Sequence, residues 1–334
     1  MPLILEEIGM TAILEAKNVT KIFKIGGLIF GSKLTAVDNV TISLEKEKVL
    51  SLVGESGSGK TTLSRILLGL IKPTKGSVLY TGSDIYKLKG DLLIKFKKDV
   101  QPIFQSPFDA FNPLKTVDRY LLGTALNYGL AKDKISAEKV VDNALSVVGL
   151  SFEEVKGKYP HEFSGGELQR VSIARALITN PKVLIADEPV AMIDASIRMG
   201  IINILLELKR EYGISILYIT HDLATAYYIS DEIAIMYRGS IIEYGPTEEL
   251  LDKPLHPYTK TLLQCLPEPD PQKRWKEEVK LSGLEVKEFE ALGCKFANRC
   301  PYADERCFGE RPPIVNLDNR TVSCWLFIDN RYSK

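Results

Sequence analysis

The chain has 334 residues, 45% of them hydrophobic, with Lys plus Arg and Asp plus Glu both at 43. That length suits one large core or two unequal domains, the composition is that of a folded protein, and the balanced charge offers no overall positive field for nucleic acid. No stretch reaches the roughly 18 consecutive apolar residues of a membrane-spanning helix, and the opening MPLILEEIGMTAILEA is acidic where a secretory leader is basic. A soluble, cytoplasmic chain is therefore expected, one still able to dock on a membrane protein.

In chain order, ILEAKNV, LTAVDNVTISL and VLSLVG read as strands joined by turns. GESGSGKT at 54–61 follows the last of these and precedes the helical spacing of TTLSRILLGL, so G-x-x-x-x-G-K-[ST] stands between a strand and a helix. Gly54, Gly57 and Gly59 permit a tight wrap whose amides face phosphate oxygens. Lys60 adds a mobile positive charge and Thr61 a hydroxyl for Mg²⁺, while Ser56, Ser58 and Thr62 complete the nucleotide-binding loop. The motif by itself does not choose between a kinase, a GTPase and a motor.

The chain is basic and then apolar from 91 to 104, and two helical patterns follow between 117 and 149; about 106–180 is expected to form a helical lobe. Ser164, Gly165, Gly166 and Glu167 open a further helix with a capping box. Two glycines in a first turn each weaken a helix by roughly 0.8–1 kcal/mol, a reasonable cost if a phosphate must come close, although an ordinary capped helix would carry the same residues. PKVLIADEP ends in Asp187 and Glu188, and SILYITHD ends in His221 and Asp222. Parallel strands present ligand groups at their carboxyl ends, so Asp187 is expected to hold Mg²⁺ through water and Glu188 to polarise an attacking water. The alternatives are an acidic pair that merely ends a buried strand and a structural histidine.

DEIAIMYRGSIIEYG reads as an antiparallel hairpin at one edge of the sheet. Beyond 254, HPYTKTLLQCL reads as a short helix with Cys265 a packed thiol, LPEPDPQ as a break, and the remainder as a stretch with little regular periodicity.

Taken together, these residues closely resemble the nucleotide-binding subunits of ATP-binding-cassette (ABC) transporters, in particular the oligopeptide/dipeptide importers, from about 13 to 327. The resemblance implies an α/β fold: a P-loop ABC ATPase cassette at 13–253, with a RecA-like core, an antiparallel β subdomain and an inserted helical subdomain. A small cysteine-rich C-terminal extension would follow at 254–334. It further implies that Phe23 stacks on adenine, Gln105 senses Mg²⁺ and the γ-phosphate, and Phe163 to Glu167 form the signature, in which Ser164, Gly165, Gly166 and Glu167 bind nucleotide. Asp187 would then be the Walker B aspartate, Glu188 the catalytic glutamate, Asp194 the D-loop aspartate and His221 the switch histidine, with Lys60 at the phosphates. The signature opens with Phe163 where leucine is usual and carries Glu167 where glutamine is common, and the D-loop reads AMID instead of SALD. Ser164, Gly166 and Asp194 survive these departures, so hydrolysis is still expected.

The implied assembly is a head-to-tail pair of cassettes, paralogous or identical, on the cytoplasmic face of the membrane. Two transmembrane permease subunits and an extracytoplasmic peptide-binding protein would complete it, with ATP and Mg²⁺ as cofactors. A soluble ATP-dependent switch and a non-catalytic ATP-binding scaffold are the competing readings; one cassette without a heptad run argues against the switch.

Cys294, Cys300, Cys307 and Cys324 are separated by five, six and sixteen residues. Four thiolates can enclose a [4Fe-4S] cluster or a zinc ion, or remain unligated, and the long intervals fit poorly with close zinc-binding pairs. The importer resemblance implies the iron–sulfur cluster.

Overall fold

The structure, a computed structural model, describes residues 12–25, 32–264, 288–289 and 291–328. Cys265 and the LPEPDPQ segment lie outside the described residues. Among the described residues, two sheets organise the chain. The first begins with the antiparallel pair β1 (Ala12–Ile25) and β2 (Ser32–Glu45), which bury Leu14, Ala16 and Val19 against Val37, Val40 and Ile42. After β3 (Val49–Val53) and α1 (Lys60–Leu67), β4 (Lys75–Tyr80) and β5 (Ser83–Asp84) extend this sheet in the order β2-β1-β4-β5.

The second sheet holds β3 together with β6 (Val100–Ile103), β7 (Val183–Asp187), β8 (Ser215–Thr220), β9 (Glu232–Tyr237) and β10 (Ser240–Pro246). A C-terminal hairpin of β11 (Ile314–Leu317) and β12 (Arg320–Ser323) completes the order β11-β12-β10-β9-β3-β8-β7-β6. The pairings among β9, β3, β8, β7 and β6 are parallel, and every residue of β3, β7 and β8 is buried. Burial on both faces explains their continuous apolar sequences.

Following α2 (Gly90–Asp99), helices α3 (Val117–Asn127), α4 (Lys134–Val147), α5 (Phe152–Val155) and α6 (Gly165–Leu177) pack on one another. Helix α4 starts in a capping box of Asp133 and Ser136 and buries Ala137, Val141, Ala144 and Leu145, one face at helical spacing. These residues share one apolar cluster with Leu184 and Ile216 of the sheet. Helix α7 (Ala195–Tyr212) ends at Gly213, where φ of 63° is left-handed, and α8 (Leu223–Ile229), α9 (Thr247–Asp252), α10 (Pro257–Gln264) and α11 (Glu305–Gly309) follow. Among the described residues, no helix is long and apolar enough to cross a membrane.

The β9–β10 hairpin forms as its sequence suggests, but it does not lie at the edge. β10 pairs with β12 at Glu243 with Val322 and at Tyr244 with Thr321, so the segment read as aperiodic continues the main sheet. Its strands are only four residues each and meet at Asp318, whose φ is 53°, and Asn319; that two-residue turn was the available local signal.

The junction is held by a buried ion pair. Glu243, fully buried, accepts from Arg320 at 2.6 Å and from the backbone amides of Leu255 and His256 at 2.9 Å each. Arg320 also donates to the carbonyl oxygens of Glu249 and Lys253. Removing one member of such a pair leaves a charge stranded in the core. Replacement Arg320→Leu should lower unfolding free energy by about 3–5 kcal/mol, and adding Glu243→Gln should recover part of that loss in denaturant melts.

Candidate active site

Backbone geometry shapes the phosphate loop. Gly59, with φ of 104°, is the N-cap of α1, and a Cβ there would overlap the Ala36 carbonyl oxygen. A Cβ on Gly54 would overlap the Met236 carbonyl oxygen in the same way, so these two positions must be glycine. The loop is tied to the β9–β10 turn by the Gly239 amide, which donates to the Ser58 carbonyl at 2.8 Å. Lys60 is buried and donates to the carbonyl oxygens of Gly54 and Glu55 at 2.7 and 2.8 Å. Burial pulls its pKa below the usual lysine value, with Glu188, Asp187 and Glu55 opposing that shift.

Helix α1 also meets the end of β7. Asp187 accepts from the Thr61 hydroxyl at 3.4 Å and from Ser64 at 3.2 Å, and burial raises its carboxyl above the ordinary range despite both hydrogen bonds. A hydroxyl beside a buried carboxylate is the hard-oxygen pair that suits Mg²⁺. Glu188 leaves the strand with φ of 45°, uncommon for a residue with a Cβ, while its amide donates to the Ile219 carbonyl at 2.8 Å. Its carboxylate accepts from Gln105 at 3.2 Å and lies 3.4 Å from His221 Nδ1. Gln105, Glu188 and His221 thus form one constellation across from Lys60.

An open cleft of about 640 Å³ joins these groups. Of the residues expected from sequence, it is lined by Phe23, Ser56, Gly57, Gly59, Lys60, Thr61, Thr62, Gln105, Glu188 and His221. Gly54, Ser58 and Asp187 are absent from its lining but adjoin it through the loop and Thr61. Ser164, Gly165, Gly166, Glu167 and Asp194 do not line it.

The α6 start is a true capping box: Ser164 accepts from the Glu167 amide, and the Glu167 carboxylate accepts from the Ser164 amide at 2.9 Å, which pulls the Glu167 pKa down. The two glycines have intramolecular neighbours. A Cβ on Gly166 would lie 2.9 Å from Ile197 Cγ2, and one on Gly165 would lie 3.4 Å from the Met192 carbonyl oxygen. Close packing of α6 on α7 therefore favours a small residue at Gly166.

Sequence reasoning missed Leu34, Ala36, Glu55, Leu262 and Phe289 in the cleft. Glu55 is gripped by Arg299, with N–O distances of 3.2 and 3.3 Å, and its amide donates to the Tyr258 hydroxyl. Burial opposes the Arg299 charge, but the Glu55 partnership more than offsets it and raises the guanidinium pKa. On β2, Asp38 meets Lys295 at 2.8 Å and Arg311 at 2.9 Å; these cations hold its carboxyl below the usual range against the effect of burial. Partners 244 residues apart, such as Glu55 and Arg299, leave no local signal.

Cys294, Cys300, Cys307 and Cys324 are free thiols lining one small cavity with His256, Phe296 and Trp325. Burial raises all four thiol pKa values, Cys294 to about 11 and Cys324 to about 12. Among the described residues, no group of three or more His, Cys, Asp or Glu is placed to hold a metal ion.

Arg299 neutralises a carboxylate at the rim of a cleft suited to a polyanion. Arg299→Gln should weaken nucleotide binding about 3- to 10-fold, with a larger loss at low ionic strength. Calorimetric titration at two salt concentrations measures both effects.

The ABC transporter family model matches residues 37–191, and the model of the oligopeptide/dipeptide transporter C-terminal region matches 242–307. The chain is 40% identical to the oligopeptide transport ATP-binding protein OppF of Salmonella typhimurium over 296 residues, 87% of each chain. It is also 40% identical to the oligopeptide transport ATP-binding protein AppF of Bacillus subtilis over 322 residues, 94% of this chain and 97% of that one. Among solved structures, it is similar to the dimeric post-hydrolysis state of the ATP-binding cassette MJ0796 bound to ADP and Pi. The TM-score is 0.62 at 30% identity, covering 70% of this chain and 98% of that one. It is likewise similar to cbiO1 of Clostridium perfringens, part of the ABC transporter complex cbiONQ, with a TM-score of 0.61 at 28% identity, covering 73% and 92%. A phosphate loop facing a Gln105–Glu188–His221 constellation, on a chain matched almost end to end by these relatives, leads to one conclusion: the protein belongs to the ATP-binding subunits of the oligopeptide/dipeptide ABC transporters.

Proposed function

We propose that this subunit hydrolyses ATP at a composite interface with a second cassette and so drives import of di- or oligopeptides through two permease subunits. An extracytoplasmic binding protein would deliver the peptide. The observation that carries this reading is the position of Glu188, held by Gln105 and beside His221 in the cleft that also contains Lys60. Glu188 acts as general base toward water, His221 and Gln105 orient the γ-phosphate, and Lys60 turns from the loop carbonyls to the phosphates. Thr61, Gln105 and Asp187 would hold Mg²⁺, which supplies charge neutralisation.

Ser164, Gly165, Gly166, Glu167 and Asp194 then serve the partner's nucleotide. Their position off the cleft and the exposed side chains of Ser164, Met192 and Asp194 support that role. Membership of the transporter family weighs against a soluble switch and supports a peripheral position of the working protein at the cytoplasmic membrane face.

Glu188→Gln should reduce phosphate release at least 100-fold in the presence of the cognate cassette. ATP binding should survive, and the ATP-bound pair should accumulate on size exclusion. Retained turnover would exclude Glu188 as the base.

We also read 254–334 as the importer-type C-terminal extension and the four cysteines as ligands of a [4Fe-4S] cluster. Support comes from their convergence on one cavity and their freedom from disulfides. Bound there, such a group would cross-link three stretches of chain. Anaerobically purified protein should absorb in the visible near 400 nm, roughly, and contain about four iron and four sulfide per chain; zinc without that absorbance would remove the cluster.

A further inference from the structure

A nucleotide has two unlike ends, and the cleft lining offers both polar and apolar side chains. Its polar members include the phosphate loop, Gln105, Glu188 and His221, whereas its apolar members are Phe23, Leu34, Ala36, Leu262 and Phe289. Phe23 and Leu34 are cross-strand partners on β1 and β2, so they arrive together from the N-terminal sheet. Leu262, on α10, and Phe289 come from the C-terminal part of the chain.

Phe289 is not a loosely placed aromatic. Its neighbour Glu288 is fully buried and accepts from Arg238 Nε at 2.8 Å and from the Tyr237 hydroxyl at 2.9 Å. The Arg238 guanidinium lies 5.4 Å from the Phe289 ring centroid. Arg238 has a positive φ of 42° and precedes Gly239, whose amide bonds the phosphate-loop carbonyl of Ser58. A chain of short contacts therefore registers Phe289 against the loop that grips the phosphates.

An aromatic base presents two π-faces, and a single stacked ring leaves one of them to water. We propose that the C-terminal segment completes the base pocket of this subunit, with Phe289 and Leu262 contacting the adenine on the side away from Phe23. This rests on the cleft being the ATP site, and it makes nucleotide binding and docking of the C-terminal segment mutually reinforcing.

The test compares ATP with inorganic tripolyphosphate, which keeps the phosphates and lacks the base, using full-length protein with its cognate cassette. Phe289→Ala should raise the KM and Kd for ATP roughly 10-fold, with kcat within about 2-fold and tripolyphosphate affinity unchanged. Phe289→Tyr should restore ATP affinity, and in Phe289→Trp the introduced fluorescence should respond to ATP but not to tripolyphosphate. Equal losses for both ligands, unchanged ATP affinity in Phe289→Ala, or a silent tryptophan would each overturn the proposal. Should Phe289→Ala fail to fold, the tryptophan response decides alone. The cleft assignment is checked separately by Lys60→Ala, which should lose both ligands; wild-type protein binding neither would overturn the site itself.

Discussion

The parallel register of β3, β8 and β7 is the constraint on which the cleft depends. Val53 pairs with Thr220, and Ile219 with Asp187, so the three strands end at nearly the same level. Immediately past those ends stand the phosphate loop, His221 and Glu188. Groups from three distant parts of the chain are thereby delivered to one surface by backbone hydrogen bonds alone. The left-handed turn at Glu188 then swings its carboxylate toward Gln105 and His221 instead of leaving it to alternate with Asp187 across the sheet.

Electrostatics place a second demand on the same region. A site for a polyanion carries its own carboxylates, Glu55 in the loop and Asp38 on the neighbouring strand, and each would repel phosphate if left bare. Both are paired with cations from the C-terminal residues, Arg299 with Glu55 and Lys295 with Asp38. Those cations directly adjoin Cys300 and Cys294 in sequence. Each of these two cysteines therefore stands one residue from a cation that pairs with a carboxylate near the phosphate loop. The fully buried Glu243, paired with Arg320, fixes the C-terminal hairpin to the sheet as firmly.

Two surfaces of the cassette follow different physical rules. The cleft collects charge at strand ends, whereas the α6 start and Asp194 present a capped helix terminus and exposed Met192. The capping box already satisfies the Glu167 amide internally, and Gly166 packs closely against Ile197. What remains at this surface is the positive end of the helix dipole, with Ser164 exposed and Gly165 half-buried.

By itself, the sequence determined the features whose cause lies within a few residues. The phosphate loop between strand and helix, the apolar runs of β7 and β8 ending in Asp187, Glu188 and His221, and the Ser164 capping box all depend on spacing along a single turn or strand. Only the tertiary structure decided that β12 pairs with β10, that Arg299 restrains Glu55, and that Leu262 and Phe289 share a cleft with Phe23. A short polar strand, a surface-like arginine or an isolated phenylalanine has no periodicity to declare its partner. Its role is set by which distant backbone it meets once the central sheet has closed.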